Sequence, residues 1–151
     1  MRPERLLLVL LLSAALIVLR WHPTQLRAEG MSWRECLRYE PTSVTLSGTL
    51  AARAGYGPPN YGETPDVDEK LTIYSIVLTR PVDVCGDSSD SMNRESFQGL
   101  REIQLNFWDS KADPRPLVGR KVLAKGSLYA GYSGYHFTPV LLRLTKLTVH
   151  E

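Results

Sequence analysis

The chain has 151 residues, 43% of them hydrophobic, with 18 Lys and Arg against 16 Asp and Glu and two cysteines. That length holds one domain with a real core and excludes two ordinary ones. A formal charge of +2, with four Arg in the first 28 residues, gives no support for a polyanion-binding function.

The N-terminal stretch reads as targeting. Arg2 and Arg5 precede an apolar run from Leu6 to Leu19, and a polar segment then ends in Leu26, Arg27 and Ala28. This is the outline of a secretory signal peptide over residues 1–28, with cleavage expected after Ala28. The apolar run of 14 residues falls short of the roughly 20 that a spanning helix needs, so an uncleaved inner-membrane anchor facing the periplasm is the alternative. Without residues 1–28, four Arg and one Glu fewer leave the 18 basic and 16 acidic groups at 14 and 15, a balance of −1. A near-neutral exported domain lacks the positive groove that a phosphate backbone needs, so nucleic acid is not expected as a partner.

Cys36 and Cys85 are the two cysteines. In an oxidising compartment such a lone pair points to a disulfide, which would tie the N-terminal segment 29–42 to a domain spanning 43–151. Closing a loop of about 50 residues is worth roughly 4 kcal/mol in chain entropy. A redox or metal pair is the alternative, but it lacks C-x-x-C spacing and neighbouring histidines.

Val44, Leu46, Gly48 and Leu50 alternate with Ser43, Thr45 and Ser47, as Val122, Ala124, Gly126 and Leu128 do with Lys121, Lys125 and Ser127. A period of two marks β-strands with one buried face. The glycine inside each suits a strand that bends sharply or carries a bulge, as in a small closed barrel. The first strand is expected from Ser43 to about Arg53, before a turn-rich stretch, Ala54 to Lys70, with Gly55, Gly57, Pro58, Pro59, Gly62 and Pro65. A second strand spans about Leu71 to Thr79, where Pro81 ends or bends it. The small, acidic segment Gly86 to Asn93 reads as a surface loop. In a third strand, Leu100 to Trp108, Ile103, Leu105 and Phe107 point inward and Glu102, Gln104 and Asn106 outward. Pro114 and Pro116 limit any helix in the next connection to a turn. The fourth strand is Lys121 to Tyr129, followed by the tip Gly131 to His136 and a last strand from Phe137 to about Val149. This pattern fits an all-β, five-stranded OB-like barrel with long loops, in which the first and fourth strands are neighbours. A small β-sandwich is the competing architecture.

From Cys36 onward the chain resembles a family of secreted bacterial proteins, domain of unknown function family 4431. The matching residues include Cys36-Leu37-Arg38-Tyr39-Glu40-Pro41, Val44-Thr45-Leu46-Ser47-Gly48-Thr49-Leu50, Gly57-Pro58-Pro59-Asn60-Tyr61 and Arg80-Pro81-Val82-Asp83-Val84-Cys85. They continue with Arg101-Glu102-Ile103-Gln104-Leu105, Leu117-Val118-Gly119-Arg120-Lys121-Val122 and Gly134-Tyr135-His136-Phe137-Thr138-Pro139-Val140-Leu141-Leu142. The resemblance implies a secreted domain and brings no activity with it.

An OB-type barrel binds ligands with the loop after its first strand and the loop between its fourth and fifth. Here Tyr56, Pro58, Pro59, Asn60 and Tyr61 lie on the first, and Tyr129, Tyr132, Tyr135 and His136 on or beside the second. Exposed tyrosines offer a large, rigid contact area with a polar tip, which suits protein or sugar recognition. Packing of these rings onto the barrel is the alternative, with Tyr39 and Tyr61 the most structural in character. The exported part holds His136 and His150, too few for a histidine metal site. Asp83, Asp87 and Asp90, or Asp66, Asp68 and Glu69, lack the spacing of a calcium loop, so solvated acidic loops are expected and no metal or cofactor. Lys121, Lys125 and Arg143 share a face if the last two strands pair, which a solvated sheet face explains. Ser133 lies near His136 but outside any G-x-S-x-G elbow, and no acid pair or nucleophile with a base is set up.

These residues lead to a non-catalytic module, periplasmic or secreted, that binds a periplasmic or extracellular protein through Tyr56 to Tyr61 and Tyr132 to His136. Accessory, inhibitor and immunity-type roles all fit. A glycan or peptidoglycan module is the alternative, since tyrosines stack on sugar rings and Asn60 can bond their hydroxyls. A hydrolase with an unfamiliar site is the third reading. Membrane contact is expected only through an uncleaved leader.

Overall fold

The computed structural model describes residues 36–150. The expected signal peptide over residues 1–28, its alternative as an anchor, and residues 29–35 lie outside the described residues. Six strands follow in chain order: β1 (Leu37–Arg38), β2 (Ser43–Tyr56), β3 (Lys70–Cys85), β4 (Phe97–Asn106), β5 (Lys121–Ala130) and β6 (Val140–Val149). A single 3-10 turn, Arg115–Leu117, is the one helical element among the described residues. None of the described helices is long and apolar enough to cross a membrane.

The strands form one sheet that closes on itself. Antiparallel pairs join β2 to β3, β3 to β4, β2 to β5 and β5 to β6, and a parallel pair joins β4 to β6. Counted from β2, the ring runs first, second, third, fifth, fourth and back to first, the strand order of an OB-type barrel. The all-β expectation and the neighbouring of the twin glycine strands are both borne out. β1 is an addition to the five expected strands. It lies parallel to the end of β3, through Leu37–Val84 and Arg38–Cys85, next to the Cys36–Cys85 disulfide.

The inward row follows the period-two pattern. Leu46, Leu50, Ile76, Ile103, Val122, Leu128, Val140, Leu142 and Leu144 are buried in one cluster. The two strand glycines sit diagonally in the β2–β5 ladder, Gly48 opposite Val122 and Gly126 opposite Val44. A Cβ on Gly48 would strike the Val77 carbonyl of β3, and one on Gly126 the Arg143 carbonyl of β6. Glycine is therefore required by the close approach of a third strand, and at Gly126 the β5–β6 register also shifts.

Strand limits differ from the sequence reading in instructive ways. Pro81 does not end the second strand: β3 runs through to Cys85, with register irregularities against β4 between Val77 and Val84. A bulge absorbs the missing N–H of proline, so the strand bends and continues. The last strand begins at Val140, not Phe137, and β4 stops at Asn106, short of Trp108.

Candidate functional site

The loop after β2 is built around Asp68. Its buried carboxylate accepts N–H bonds from Asn60 at 2.8 Å, Gly62 at 2.8 Å and Thr64 at 3.1 Å. Burial pushes the Asp68 carboxyl up, but the amides of Asn60, Gly62 and Thr64, with the Asn60 side chain, outweigh it and hold it below the usual carboxylate value. This corrects the reading of Asp68 as part of a solvated acidic run. Between two of those amides, Tyr61 adopts a left-handed φ of 54° and stays 50% exposed.

The loop between β5 and β6 is organised by His136. Its Nδ1 accepts the N–H of Tyr132 at 2.9 Å and of Ser133 at 3.3 Å. Partial burial lowers its pKa, so near pH 7 the ring is neutral with its proton on Nε2. The His136 ring packs against Tyr132 at 4.8 Å and Tyr129 at 5.6 Å. Ser133 Oγ accepts the Tyr135 N–H at 3.3 Å.

The two loops meet. Tyr61 and Tyr135 pack edge to face at 6.1 Å, and the Tyr135 hydroxyl donates to Glu69 Oε2 at 3.2 Å. Gly134 lies so close beneath the Tyr61 ring that a Cβ there would overlap it. Tyr132 is 62% exposed beside them. Of the expected contact residues, Tyr61, Tyr132, Tyr135 and His136 are thus brought to one end of the barrel, while Tyr129 is not at the surface. It is 5% exposed, accepts a bond from Asn106 Nδ2 at 2.7 Å, and lies under the Arg143 guanidinium at 5.5 Å. Tyr56, expected on the loop, instead ends β2 opposite Lys70, and Pro58, Pro59 and Asn60 carry the loop backbone, where Gly57 and Pro58 bond Glu69 through main chain at 2.8 and 2.9 Å.

Beside this end, β3 and β4 part and leave a slot of about 410 Å³, walled by Leu71 to Tyr74, Gln104 to Trp108, Tyr135 to Phe137 and Leu141. Gln104 shapes it. Its carboxamide donates to the Tyr135 carbonyl at 2.9 Å and accepts the Phe137 N–H at 2.7 Å, holding that segment as a strand neighbour would. Phe137 therefore bonds to a side chain and not to a ladder, ahead of the start of β6 at Val140. Tyr74 and Phe107 pack edge to face at 5.8 Å, and Trp108 stands 82% exposed at the mouth. Sequence reasoning missed Trp108, Tyr74 and Gln104 as site residues. The signal available was Trp108 itself, a large apolar ring placed directly before a polar turn.

Asp87 and Asp90 are tied into the turns of their own loop. Hydrogen bonds from Ser89 hold Asp87 low, and those from Met92 and Asn93 hold Asp90 low. Asn93, buried, accepts the Ala130 N–H at 2.9 Å and donates to Asp90 at 3.0 Å, latching that loop to the end of β5. Among the described residues no cluster of three or more His, Cys, Asp or Glu side chains is placed to hold a metal ion. Arg143 is paired with Glu40 at 3.3 Å and Asp109 at 3.9 Å, which removes it from the positive face shared with Lys121 and Lys125.

Residues 102–148, from β4 through nearly all of β6, match a family model described as Domain of unknown function (DUF4431). No curated protein and no solved structure matches the chain significantly. The matched segment contains the β4 wall of the slot, Trp108 and the whole Tyr132 to His136 hairpin. Over residues 102–148, the chain is therefore similar to the domain of unknown function family 4431.

Proposed function

We propose that the chain is a non-catalytic binding module, exported to the periplasm or beyond, that recognises a protein partner through the aromatic end of its barrel. The observation that carries this reading is the continuity of that surface. Tyr61 packs on Tyr135, His136 packs on Tyr132, and Trp108 and Tyr135 border the same slot, so rings from three loops share one end. Exposed Trp and Tyr side chains held on ordered loops are the residue types that anchor protein interfaces. The Cys36–Cys85 bond supports an oxidising compartment. The main-chain N–H bonds that occupy His136 Nδ1 support binding over turnover, because that lone pair is not free to activate a nucleophile. An accessory, inhibitor or immunity-type role fits such a module.

A neutral glycan is the second reading. The walls of the slot hold aromatic rings and two carboxamides but no Asp, Glu, Lys or Arg, and OB-type barrels bind oligosaccharides at this place. Sedimentation with purified peptidoglycan separates the two.

The experiment is capture from periplasmic extract by the disulfide-intact protein, beside a Trp108→Ala, Tyr132→Ala, Tyr135→Ala variant, followed by rebinding of the purified captured protein. The expected result is a protein bound roughly thirtyfold more weakly by a variant that keeps the native circular dichroism. Equal binding by both forms would sink the assignment.

A further inference from the structure

A sheet face lines a cavity with every second residue, because neighbouring side chains point to opposite sides. The slot is lined instead by four consecutive residues of β3, Leu71 to Tyr74, and by five in a row from Gln104 to Trp108. Runs of that kind mean that two strand edges face each other across it. The ladder accounts for this. β3 and β4 pair at Ile76–Ile103 and Ser75–Gln104 and no further, although β3 begins at Lys70 and β4 continues to Asn106. The opposite edge of β3 is taken by β2 as far as Tyr56–Lys70, and β4 keeps β6 on its far side through Asn106–Arg143. Lys70 to Tyr74 thus present an unshared main-chain edge about 17 Å long.

We infer that the slot takes an extended, uncharged peptide segment of a partner protein, paired through its main chain to the Lys70–Tyr74 edge. One apolar or aromatic side chain of that segment seats between Tyr74, Phe107 and Tyr135. The inference deepens the protein-binding reading and rests on it. An open edge invites another strand, and a row of amides and carbonyls at strand pitch is complementary to a main chain, not to sugar hydroxyls. The charge pattern selects the segment: His136 is the one basic side chain on the slot wall and is neutral near pH 7, the wall holds no carboxylate, and Lys70 stands exposed at the end of the edge, outside the wall. A charged segment would lose water there without gaining a partner, whereas a neutral one would not. Trp108 at the mouth is then covered by the residues that flank the pairing strand.

The test pans a displayed library of short random peptides against the full chain with its disulfide intact, then titrates an enriched peptide while following amide exchange. The enriched peptides are expected to share an uncharged apolar or aromatic core and to protect amides within Lys70–Tyr74. N-methylation of alternate peptide amides is expected to weaken binding roughly tenfold or more in one register and hardly at all in the other. Methylation alters only the ligand, so a loss cannot come from a misfolded protein. An N-methyl series without effect, or protection confined to the Tyr132 tip, overturns strand pairing and leaves a protein-binding surface standing. Failure of any peptide to enrich overturns the inference, and binding of a neutral chitooligosaccharide in that case assigns the slot to a glycan and counts against the protein-binding reading as well.

Discussion

At Tyr61 the main chain turns left-handed, with φ of 54°, a conformation that a bulky side chain adopts only when its surroundings hold it. The hold comes from Asp68, which gathers the amides on both sides of Tyr61. Asp68→Asn should therefore free the loop. Amides of Asn60, Gly62 and Thr64 are expected to lose hydrogen-exchange protection while those of the core strands keep theirs. The same residue sets part of the acid stability. Its carboxyl is depressed in the fold, so its contribution is complete above the ordinary carboxylate value and lost as pH falls through the folded pKa. His136, also depressed, acts in the same direction. The unfolded chain protonates first, below about pH 6.5, and stability falls with pH from there. Urea midpoints measured from pH 7 down to pH 3 should drop monotonically, with a shallower low-pH limb in Asp68→Asn. None of this was legible locally. An aspartate in a run of acids looks solvated unless the amides of a turn several residues earlier are known to converge on it.

Among the elements, the glycine-bearing strands were the most legible, because alternation is a local property and the strands keep it from Val44 to Leu50 and from Val122 to Leu128. Their reason for carrying glycine was legible only in kind. The sequence suggests a bend, and the structure supplies the obstacle, a carbonyl of the next strand, at both Gly48 and Gly126. Gly126→Ala must push back main chain, not a flexible side chain. It should cost about 3 kcal/mol, the upper end of ordinary overpacking. Denaturant titration should show a lower midpoint with an unchanged slope. Pro81 is the counterexample: a residue that usually ends a strand sits within β3, where the pairing to β4 is already irregular.

For the whole molecule, the disulfide joins a short edge strand to a closed ring. β1 has two residues and one strand neighbour, β3, so its own pairing holds it weakly. The Cys36–Cys85 bond and the buried Tyr39, whose hydroxyl donates to the Glu95 carbonyl at 3.1 Å, fix it in place. Replacing both cysteines by serine should lower stability by about 2–5 kcal/mol, measured by thermal or urea unfolding. The far-ultraviolet spectrum should remain that of a β protein, because the ring of β2 to β6 closes without β1. Loss of exchange protection should be confined first to Leu37, Arg38 and their partners on β3. A collapse of the entire sheet would show instead that β1 is part of the cooperative core.

Several properties were determined by sequence alone: the all-β class, the inward rows of β2, β4 and β5, the pairing of the two cysteines and the gathering of tyrosines on two loops. Each depends on short-range alternation, on turn residues or on a count. Tertiary structure alone decided that the two loops touch through Tyr61 and Tyr135, that Tyr129 lies beneath them, and that β3 and β4 separate to leave an open edge beside Trp108. These depend on cross-strand register and on which strand ends first. Both are set by carbonyls and side chains of residues distant in the chain, as at Gly126 against Arg143 and Gln104 against Phe137.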